Sequence, residues 1–468
     1  MTLTIQHLIG IVFTLFLIIG VSIYAGRQVK SSEDFAVSGR RAGSIMVAGT
    51  IIGTLVGSAS TIGTAQLAYM YGMSAWWFTL GGGIGCIFLA LLAGPLRERE
   101  LETVPQYLSH YYGERAEFYA AIFVSIGVFF NIVPQVTSAV ALLVSVFPVG
   151  IPIAAAIAVF LMIAYVFFGG AWGTSIMGVM KIILMYITLT FAGFVALKLS
   201  GGFSGLTAQF SAYPWFSLFG RGLNDDLAAA FSMVLGVLSS QIYYQAIFCG
   251  RNTRAARNGA LLSAFLIPLI GPVGIFIGLF MRVNYPDIQP ALAFPMFVMH
   301  HLHPLLAGVV LVTLLLAILG TGAGLTLSVS TLISRDIYQK IRPQAKDTTV
   351  LAVFRLLIVI VLFLALVLIL FMGIDIVILE WSYLSLGLRG AAIFIPLIFA
   401  IILGERVPRK AGLFSIIVAP SVILLGVFLL PWNFNPLYPG LLFGLAVILL
   451  GVPLETKNWS KTLKIRKN

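Results

Sequence analysis

Long runs of apolar residues, separated by short polar loops, alternate along the whole chain. A helix needs about 20 mostly apolar residues to cross a bilayer, and about 13 of these runs are long enough. They lie at approximately residues 7–25, 43–72, 74–97, 118–147, 151–169, 172–199, 226–249, 259–283, 305–334, 350–373, 375–403, 412–430 and 437–453. The pattern predicts an all-α membrane protein with about 13 transmembrane helices, organised as a single domain over residues 1–468.

Composition agrees with this prediction. Hydrophobic residues make up 60% of the 468 positions and charged residues only 9%, and the mean hydropathy is +1.05. No soluble domain could hide so much apolar surface. The formal charge of +12 would suit a nucleic-acid partner only if the basic residues were gathered on one soluble face. They lie in short loops instead, so we expect a lipid bilayer and no nucleic acid as the partner.

The distribution of lysine and arginine predicts the orientation in the membrane. If the N-terminus lies outside, most of the 28 lysines and arginines fall in inside loops, and the outside loops hold only Lys198, Arg221 and Arg282. Because positive residues are enriched in cytoplasmic loops, we expect the N-terminus outside and the C-terminus inside. The first apolar run has no basic start and no cleavage site, which indicates an anchoring helix. The expected location is the cell membrane, crossed many times.

Several kinds of chemistry are not indicated by the sequence. Cys86 and Cys249 both lie in apolar runs, which predicts neither a disulfide framework nor a metal site. His300, His301 and His303 could chelate a metal, but with no carboxylate or thiol nearby a solvated loop is favoured. The glycine cluster "GTGAG" lies inside an apolar run, so it is not a nucleotide loop. We therefore expect no enzyme activity, no cofactor and no metal.

Two charged residues, Lys181 and Arg389, fall within apolar runs. A charge at the membrane centre costs about 2.5–3.5 kcal/mol on insertion scales, and such residues normally face a pathway or a partner. Lys181 could instead extend its side chain to the membrane surface. It lies about nine residues from the start of its run, or ~14 Å, which exceeds the reach of a lysine side chain, so the inward orientation is favoured. Arg389 could serve a cargo site or form a structural pair with a carbonyl or Glu380, and both interpretations stay open.

Three apolar runs carry small and hydroxyl residues at mid-membrane depth. The run at 43–72 contains glycines, serines and threonines at its centre, "GTIIGTLVGSASTIGTAQLAYMYG", and the run ending in "LSSQIYYQAIFCG" carries many hydrogen-bonding side chains. The third run is "LLAILGTGAGLTLSVSTLISRDIY", residues 315–338. Irregular backbone at this depth survives only where it lines protein or water, and broken helices of this kind coordinate ions and substrates in transporters. Close helix packing through small residues is the alternative for the first run.

Four further motifs, in this order along the chain, resemble those of the sodium:solute symporter family, which includes proline, sugar, sialate and monocarboxylate symporters. They are "SSEDFAVSGRRAG", "LETVPQYLSHYYGERAEFY", "SQIYYQAIFCGRNTRAARNG" and "SVSTLISRDIYQK". The resemblance covers nearly the whole chain. It implies a LeuT-type fold with a five-plus-five inverted repeat, here about 43–199 and 226–403, with one extra helix before and two after.

The resemblance also implies a sodium site, made by the broken first core helix and the eighth core helix. Its equivalents in this chain are the carbonyls of Gly53 and Val56, with Ala317, Gly320 and Thr321 on the eighth core helix. The family normally carries a hydroxyl at both 320 and 321, so Gly320 removes one ligand. Sodium is a hard cation that needs a nearly complete oxygen shell.

Lys181 stands on the fifth core helix, three residues after Gly178, where members of the family often carry a carboxylate. A fixed ammonium there could take over the structural role of sodium and tie the fifth, first and eighth core helices together. A buried lysine also changes its protonation state readily, so the same group could carry a proton. The hypothesis is that the Lys181 ammonium takes the place of Na⁺ in this site, or that H⁺ replaces Na⁺ as the coupling ion.

The expected function is secondary active transport of a small polar solute by alternating access. Candidate residues of the cargo cavity are Ser58, Ser60, Thr61, Gln135, Gln241, Tyr243, Tyr244 and Arg389. Amino ends of half-helices favour anionic groups, so a small carboxylate or an amino acid is favoured over a neutral sugar. Symport with sodium and sodium-independent transport, coupled to protons or working by exchange, both stay open. A membrane sensor or receptor is the alternative of another class, and it would be expected to carry a signalling domain.

Overall fold

The computed structural model describes residues 3–26, 42–97, 104–404, 407–429 and 434–465. The predicted loop motif at 31–43 lies almost entirely outside these ranges, as do residues 466–468. The described residues are helical with short connections, and their only β-type pairing is an isolated parallel bridge between Ala42 and Gly250.

The helices, in chain order, are α1 (Ile5–Gly26), α2 (Ser44–Leu55), α3 (Thr64–Tyr71), α4 (Trp77–Arg97), α5 (Val104–Tyr112), α6 (Glu114–Val146), α7 (Ile151–Leu199), α8 (Gly202–Gln209), α9 (Leu223–Val237), α10 (Gln241–Cys249), α11 (Thr253–Leu266), α12 (Gly271–Asn284), α13 (Ala293–His301), α14 (Pro304–Thr331), α15 (Gln339–Ile341), α16 (Asp347–Met372), α17 (Ile378–Leu403), α18 (Arg409–Phe428) and α19 (Leu437–Ile465). Two π-helical turns lie at Ala59–Gly63 and Leu332–Tyr338, and short 3₁₀ turns lie at Gly72–Trp76, Ile267–Ile270 and Pro290–Leu292.

Many of these helices have the length and composition of membrane spans. Within the described residues, eight helical stretches are long and apolar enough to cross a bilayer, and the pair α9 and α10, bent by 49°, makes a ninth candidate. Shorter apolar helices add to these at Ile5–Ile18, Ser44–Leu55, Ile151–Val166 and Leu437–Gly451. The chain is therefore an all-α membrane protein. The figure of about 13 spans and the orientation of the termini stay predictions.

The backbone is helical without interruption through α7, although the sequence predicts two spans that meet at about residues 169–172. At ~1.5 Å per residue, 49 helical residues exceed by far the ~30 Å thickness of a bilayer core. The predicted boundary is thus not marked by a gap in helical structure.

The predicted 43–72 span is interrupted in its middle. Helix α2 ends at Leu55, the backbone of Val56 is extended, and a π-helical turn at Ala59–Gly63 leads into α3. The amide of Gly63 donates to the carbonyl of Ser58 at 2.9 Å, which closes this wider turn. We call residues 53–63 the first break.

A second interruption separates α9 from α10. The hydroxyls of Ser239 and Ser240 donate to the carbonyls of Leu235 and Gly236, each at 2.6 Å. These side chains satisfy carbonyls that the missing helical turn leaves free, as irregular backbone at membrane depth requires. We call residues 238–241 the second break.

The long helices α6, α14 and α17 pack around the two breaks. Helix α6 makes extensive contacts with both α14 and α17, and α14 also packs on α7. At one end the two broken helices are joined directly, because the amide of Ala42 donates to Cys249 O and the amide of Arg251 donates to Ala42 O. The interior of the protein around the breaks is thus formed by the two broken helices and by α6, α14 and α17.

Candidate functional site

The Lys181 side chain reaches the first break. It is 5% exposed, and its ammonium nitrogen donates to the carbonyl oxygen of Gly53 at 2.8 Å and to the hydroxyl of Thr321 at 3.0 Å. A single amine thus joins α7 to the first broken helix and to α14. Because the group is buried and bonded to two protein oxygens, it does not extend to the membrane surface.

Glycine lets the first break approach α14 closely. A Cβ atom added at Gly57 would lie 2.7 Å from the Thr321 hydroxyl and 3.3 Å from two further atoms of that side chain. Real Cβ atoms do not approach other atoms so closely, so any larger residue at 57 would displace Thr321. The position of one of the two oxygens that bind Lys181 thus depends on Gly57.

Gly320, where the resemblance implies a missing hydroxyl, has free space beside it. A Cβ atom there would meet only the ring end of Tyr165, with 3.5 Å to the phenol oxygen and 3.9 Å to the adjacent carbon. The other two implied ligands, Val56 and Ala317, are buried, and no hydrogen bond joins them to Lys181 among the described residues. Of the five implied sodium ligands, the ammonium therefore binds two.

Three hydroxyl residues of the first break serve the protein's own polar groups. Ser58 donates to the side-chain carbonyl of Gln135 at 2.7 Å, and both residues are buried. Ser60 and Thr61 donate to the carbonyl of Gly57 at 3.1 and 2.8 Å. Ser60 and Thr61 thus stabilise the turn, whereas Ser58 and Gln135 join the break to α6.

Two of the three candidate residues after the second break also form hydrogen bonds with backbone groups of the protein. Gln241 accepts a hydrogen bond from the amide of Val104 at 3.0 Å, which ties α10 to the start of α5. Tyr244 is fully buried and donates to the carbonyl of Leu238, bridging the break. Tyr243 is buried next to it at 6% exposure. The side chains of Gln241 and Tyr244 therefore stabilise backbone groups of the protein, the amide of Val104 and the carbonyl of Leu238.

Arg389 of α17 lies against the second break. Its guanidinium donates to the hydroxyl of Ser240 at 3.2 Å and to the carbonyl of Ser385 in its own helix at 3.3 Å. Among the described residues Glu380 forms no ion pair with Arg389, and its carboxylate lies 4.0 Å from the guanidinium of Arg221 instead. The sequence leaves two interpretations of Arg389 open, a structural pair and a cargo site. The contact with the Ser385 carbonyl agrees with a structural pair. The guanidinium also lines a small cavity with Ser240 and Gln241, so the interpretation as a cargo site stays open.

Other polar contacts in the protein have no obvious signal in the sequence. The side chain of Gln66 is 1% exposed, and it donates to the carbonyl of Ile376 and accepts from the amide of Ile378, at 2.9 and 2.8 Å. This amide pair joins α3 to the start of α17. The sequence signals this contact only through a glutamine that stands alone in an apolar run.

Ion pairs lie near the ends of the spans. Arg221 and the fully buried Asp226 are 2.8 Å apart at the start of α9, and Lys340 pairs with Glu117 at 2.8 Å, joining α15 to α6.

The histidine loop does not bring together ligands for a metal: no group of three histidine, cysteine or acidic side chains suited to a metal ion occurs in the described ranges. His301 instead contacts aromatic rings and accepts from or donates to the Tyr285 hydroxyl at 3.1 Å.

Solved transporters share this architecture. A Na⁺-coupled sialic acid symporter, in a substrate-bound outward-open state, matches with a TM-score of 0.77 at 16% identity, over 96% of this chain and 98% of that chain. Mhp1, a nucleobase-cation-symport-1 family transporter in a closed conformation, matches with a TM-score of 0.60 at 15% identity, over 91% of this chain and 95% of that chain. At these identities the likeness concerns the fold alone, which is LeuT-like.

The sequence profile of the sodium:solute symporter family matches residues 35–419, which is most of the chain. The resemblance inferred from the four motifs is therefore confirmed, and with it the prediction of a transporter and not an enzyme. The chain belongs to the sodium:solute symporter family.

Proposed function

We propose that this protein is a secondary active transporter of a small polar solute that works without sodium, because Lys181 occupies the place of the ion. The observation that carries the proposal is the pair of hydrogen bonds from the Lys181 ammonium to Gly53 O and to the Thr321 hydroxyl. Both oxygens belong to the set that the family resemblance assigns to sodium. Gly320, which lacks the usual hydroxyl, weakens the same site for an ion.

A sodium ion and a protonated Lys181 would compete for the same oxygens. Two unit charges 4 Å apart repel each other by about 4 kcal/mol at an effective dielectric constant of ~20. A difference of this size corresponds to roughly a thousandfold loss of affinity for the ion. Sodium binding would therefore require Lys181 to leave, or to lose its proton.

The driving force is then a proton gradient or exchange of one solute for another. A lysine that gains and loses its proton changes the tie between α7, the first break and α14, which is a means of coupling transport to protons. A lysine that stays protonated would act as a permanent tie, and the carrier would exchange solutes. The two modes differ in their response to an imposed pH gradient.

The fold suits alternating access. We expect the inverted repeats at about 43–199 and 226–403, the N-terminus outside and the C-terminus inside, with one carrier domain over residues 1–468. In transporters of this architecture one bundle rocks against the rest around a central site that the broken helices form. The multi-pass chain would work in the cell membrane.

The cargo is a small polar solute, with a carboxylate or an amino acid favoured over a neutral sugar. Buried hydroxyl, amide and phenol groups surround the two breaks, among them Ser58, Gln135 and Tyr243. The buried guanidinium of Arg389, which lines a cavity, favours cargo that carries negative charge.

Uptake by proteoliposomes tests the proposal. The purified protein would be supplied with a panel of labelled carboxylates, amino acids, sugars and nucleobases under an imposed sodium gradient, an imposed proton gradient, preloaded unlabelled solute or none of these. We expect uptake of at least one solute whose initial rate is the same in sodium and in potassium medium. Uptake that scales with the sodium gradient would contradict the role proposed for Lys181.

A further inference from the structure

A small cavity lies beside the second break. Its volume is about 30 Å³, and its polar wall consists of Arg389 from α17, Ser240 and Gln241 from the break, and Ser328 from α14. The rest of the wall is apolar and includes Val124 and Leu332. A space of this size holds one to two water molecules or one small ionic group.

The guanidinium in this wall is buried without a negative partner. Arg389 is 5% exposed, and its two hydrogen-bond acceptors, the Ser240 hydroxyl and the Ser385 carbonyl, are both neutral. Within the described residues no carboxylate lies in ion-pair distance of it. An arginine has five donors, and only two are used here. A buried and uncompensated charge is costly, so binding of an anion next to it would be favourable.

The helix that starts at the cavity contributes to the same preference. Helix α10 begins at Gln241 and has nine residues, and the side chain of its N-cap residue, Ser240, does not cap it. The Ser240 hydroxyl donates to the carbonyl of Gly236 instead and accepts from Arg389. The amino end of α10 thus has no side-chain cap, and such an end carries partial positive charge that attracts anions.

We propose that the cavity between Arg389 and the amino end of α10 is a binding site for a small monovalent anion. The group it fits is the carboxylate of a cargo molecule or a free halide ion. The volume is too small for a whole organic solute, so a cargo would place only its carboxylate there. The identification of this anion as cargo rests on the proposed transport function, whereas anion binding itself does not.

Thermal unfolding of the purified full-length protein in detergent tests the site without any transport. The reference buffer contains potassium sulfate, and the added probes are potassium chloride, potassium acetate, potassium lactate or the neutral solutes glucose and sorbitol at equal osmolarity. We expect a saturable rise in the melting temperature with a monovalent anion and none with the neutral solutes. A rise with acetate or lactate, in excess of that with chloride, assigns the site to a cargo carboxylate, and an equal or larger rise with chloride assigns it to a halide.

Arg389→Gln is the decisive variant, and Arg282→Gln is its matched control, because Arg282 is exposed and makes its contact with the face of Tyr69. We expect Arg389→Gln to weaken anion binding at least tenfold and Arg282→Gln to leave it unchanged. If Arg389→Gln does not fold, Arg389→Lys replaces it and is expected to weaken binding at least threefold, since an ammonium loses the planar pair of donors.

Two results would overturn the proposal: no anion-dependent shift in the wild type, or the same shift in the wild type and in the folded Arg389 variant. Its failure is distinguishable from failure of the transport proposal. Sodium-coupled uptake by the wild type would refute the role of Lys181 and leave the anion shift intact. An absent shift would remove this site and leave the sodium independence of uptake untouched.

Discussion

The two breaks differ in how a buried cation contacts the interrupted helix. Each interrupts a membrane helix at mid-depth, and each is met by a buried cation from another helix, Lys181 at the first break and Arg389 at the second. Lys181 inserts its ammonium between a backbone carbonyl and a hydroxyl that belong to two different helices. Arg389 binds one hydroxyl of the break and one carbonyl of its own helix, and it still faces a cavity.

The two cations therefore have different proposed roles: Lys181 holds helices together, and Arg389 binds a ligand. At the first break the Lys181 ammonium binds two of the oxygens that the resemblance assigns to sodium, and our proposal is that no ion binds there. At the second break Arg389 uses two of its five donors among the described residues and lines a cavity, and our proposal is that an anion binds there. In the family to which this chain belongs, the resemblance assigns sodium to the first position. We therefore propose that Gly320 and Lys181 remove the sodium requirement at the first break, and that the second break selects the cargo.

The largest expected effect follows from removing the tie. In Lys181→Ala, the Gly53 carbonyl and the Thr321 hydroxyl lose a charged donor, and hydrogen bonds to charged groups contribute about 1.5–3 kcal/mol each. We expect uptake in sodium-free medium to fall at least tenfold. Lys198→Ala is the control, because Lys198 lies on the same helix α7 and is exposed. Equal loss of uptake in both variants, or none in either, would contradict the assignment.

A second change converts the first break back to an ion site. The double variant Lys181→Ala/Gly320→Ser removes the ammonium and adds the hydroxyl that the family normally carries, and the space next to Gly320 admits a side chain. We expect sodium to raise the melting temperature of this variant by several degrees relative to potassium, with no such difference in the wild type. The same sodium response in both proteins would show that Lys181 does not exclude the ion.

A smaller effect on stability and uptake is expected from replacing a tightly packed glycine by alanine, with a glycine in open space as the control. Gly57→Ala forces a Cβ atom to within 2.7 Å of the Thr321 hydroxyl, whereas a Cβ atom at Gly324 meets nothing within 4 Å. Overpacking costs about 1–3 kcal/mol, and Ala at an unhindered helical position is neutral or favourable. We expect a lower melting temperature and a several-fold slower uptake for Gly57→Ala only. Gly324→Ala as harmful as Gly57→Ala would mean that close approach is not the reason for Gly57.

The smallest effect should come from the contact between the first break and α6. Ser58→Ala leaves the buried side-chain carbonyl of Gln135 without its 2.7 Å donor. An unsatisfied buried acceptor costs about 1–3 kcal/mol. We expect a fall of a few degrees in the melting temperature and about a twofold change in uptake. An uptake loss as large as that of Lys181→Ala would instead assign Ser58 to the cargo itself.

Much of the fold could be predicted from the sequence, because hydrocarbon imposes a strict rule on composition. Runs of about 20 apolar residues identify spans, and glycine with serine or threonine at mid-span identifies positions where the backbone is irregular. The family could be predicted from the order of its motifs. The count of spans is harder, since α7 is helical throughout the boundary that composition suggests near residue 170.

The site could be predicted only in part. The inward orientation of Lys181 could be predicted because its side chain is too short to reach the surface, but its two oxygen partners depend on how three helices cross. Gln241 stays a predicted cavity residue, but no pattern in the sequence indicates that its side chain also accepts from the amide of Val104, 137 residues away. The amide pair of Gln66 with Ile376 and Ile378 spans more than 300 positions of the chain. Contacts over such separations follow from tertiary packing, to which local sequence patterns give no access.

Binding of radioactive sodium to the purified protein tests the central claim most directly, because it requires no knowledge of the cargo. The measurement compares the wild type with Lys181→Ala/Gly320→Ser and with Thr321→Ala, in potassium medium of constant ionic strength. We predict no saturable sodium binding by the wild type and saturable binding by the double variant. Saturable sodium binding by the wild type that Thr321→Ala abolishes would show that an ion, and not Lys181, occupies the first break.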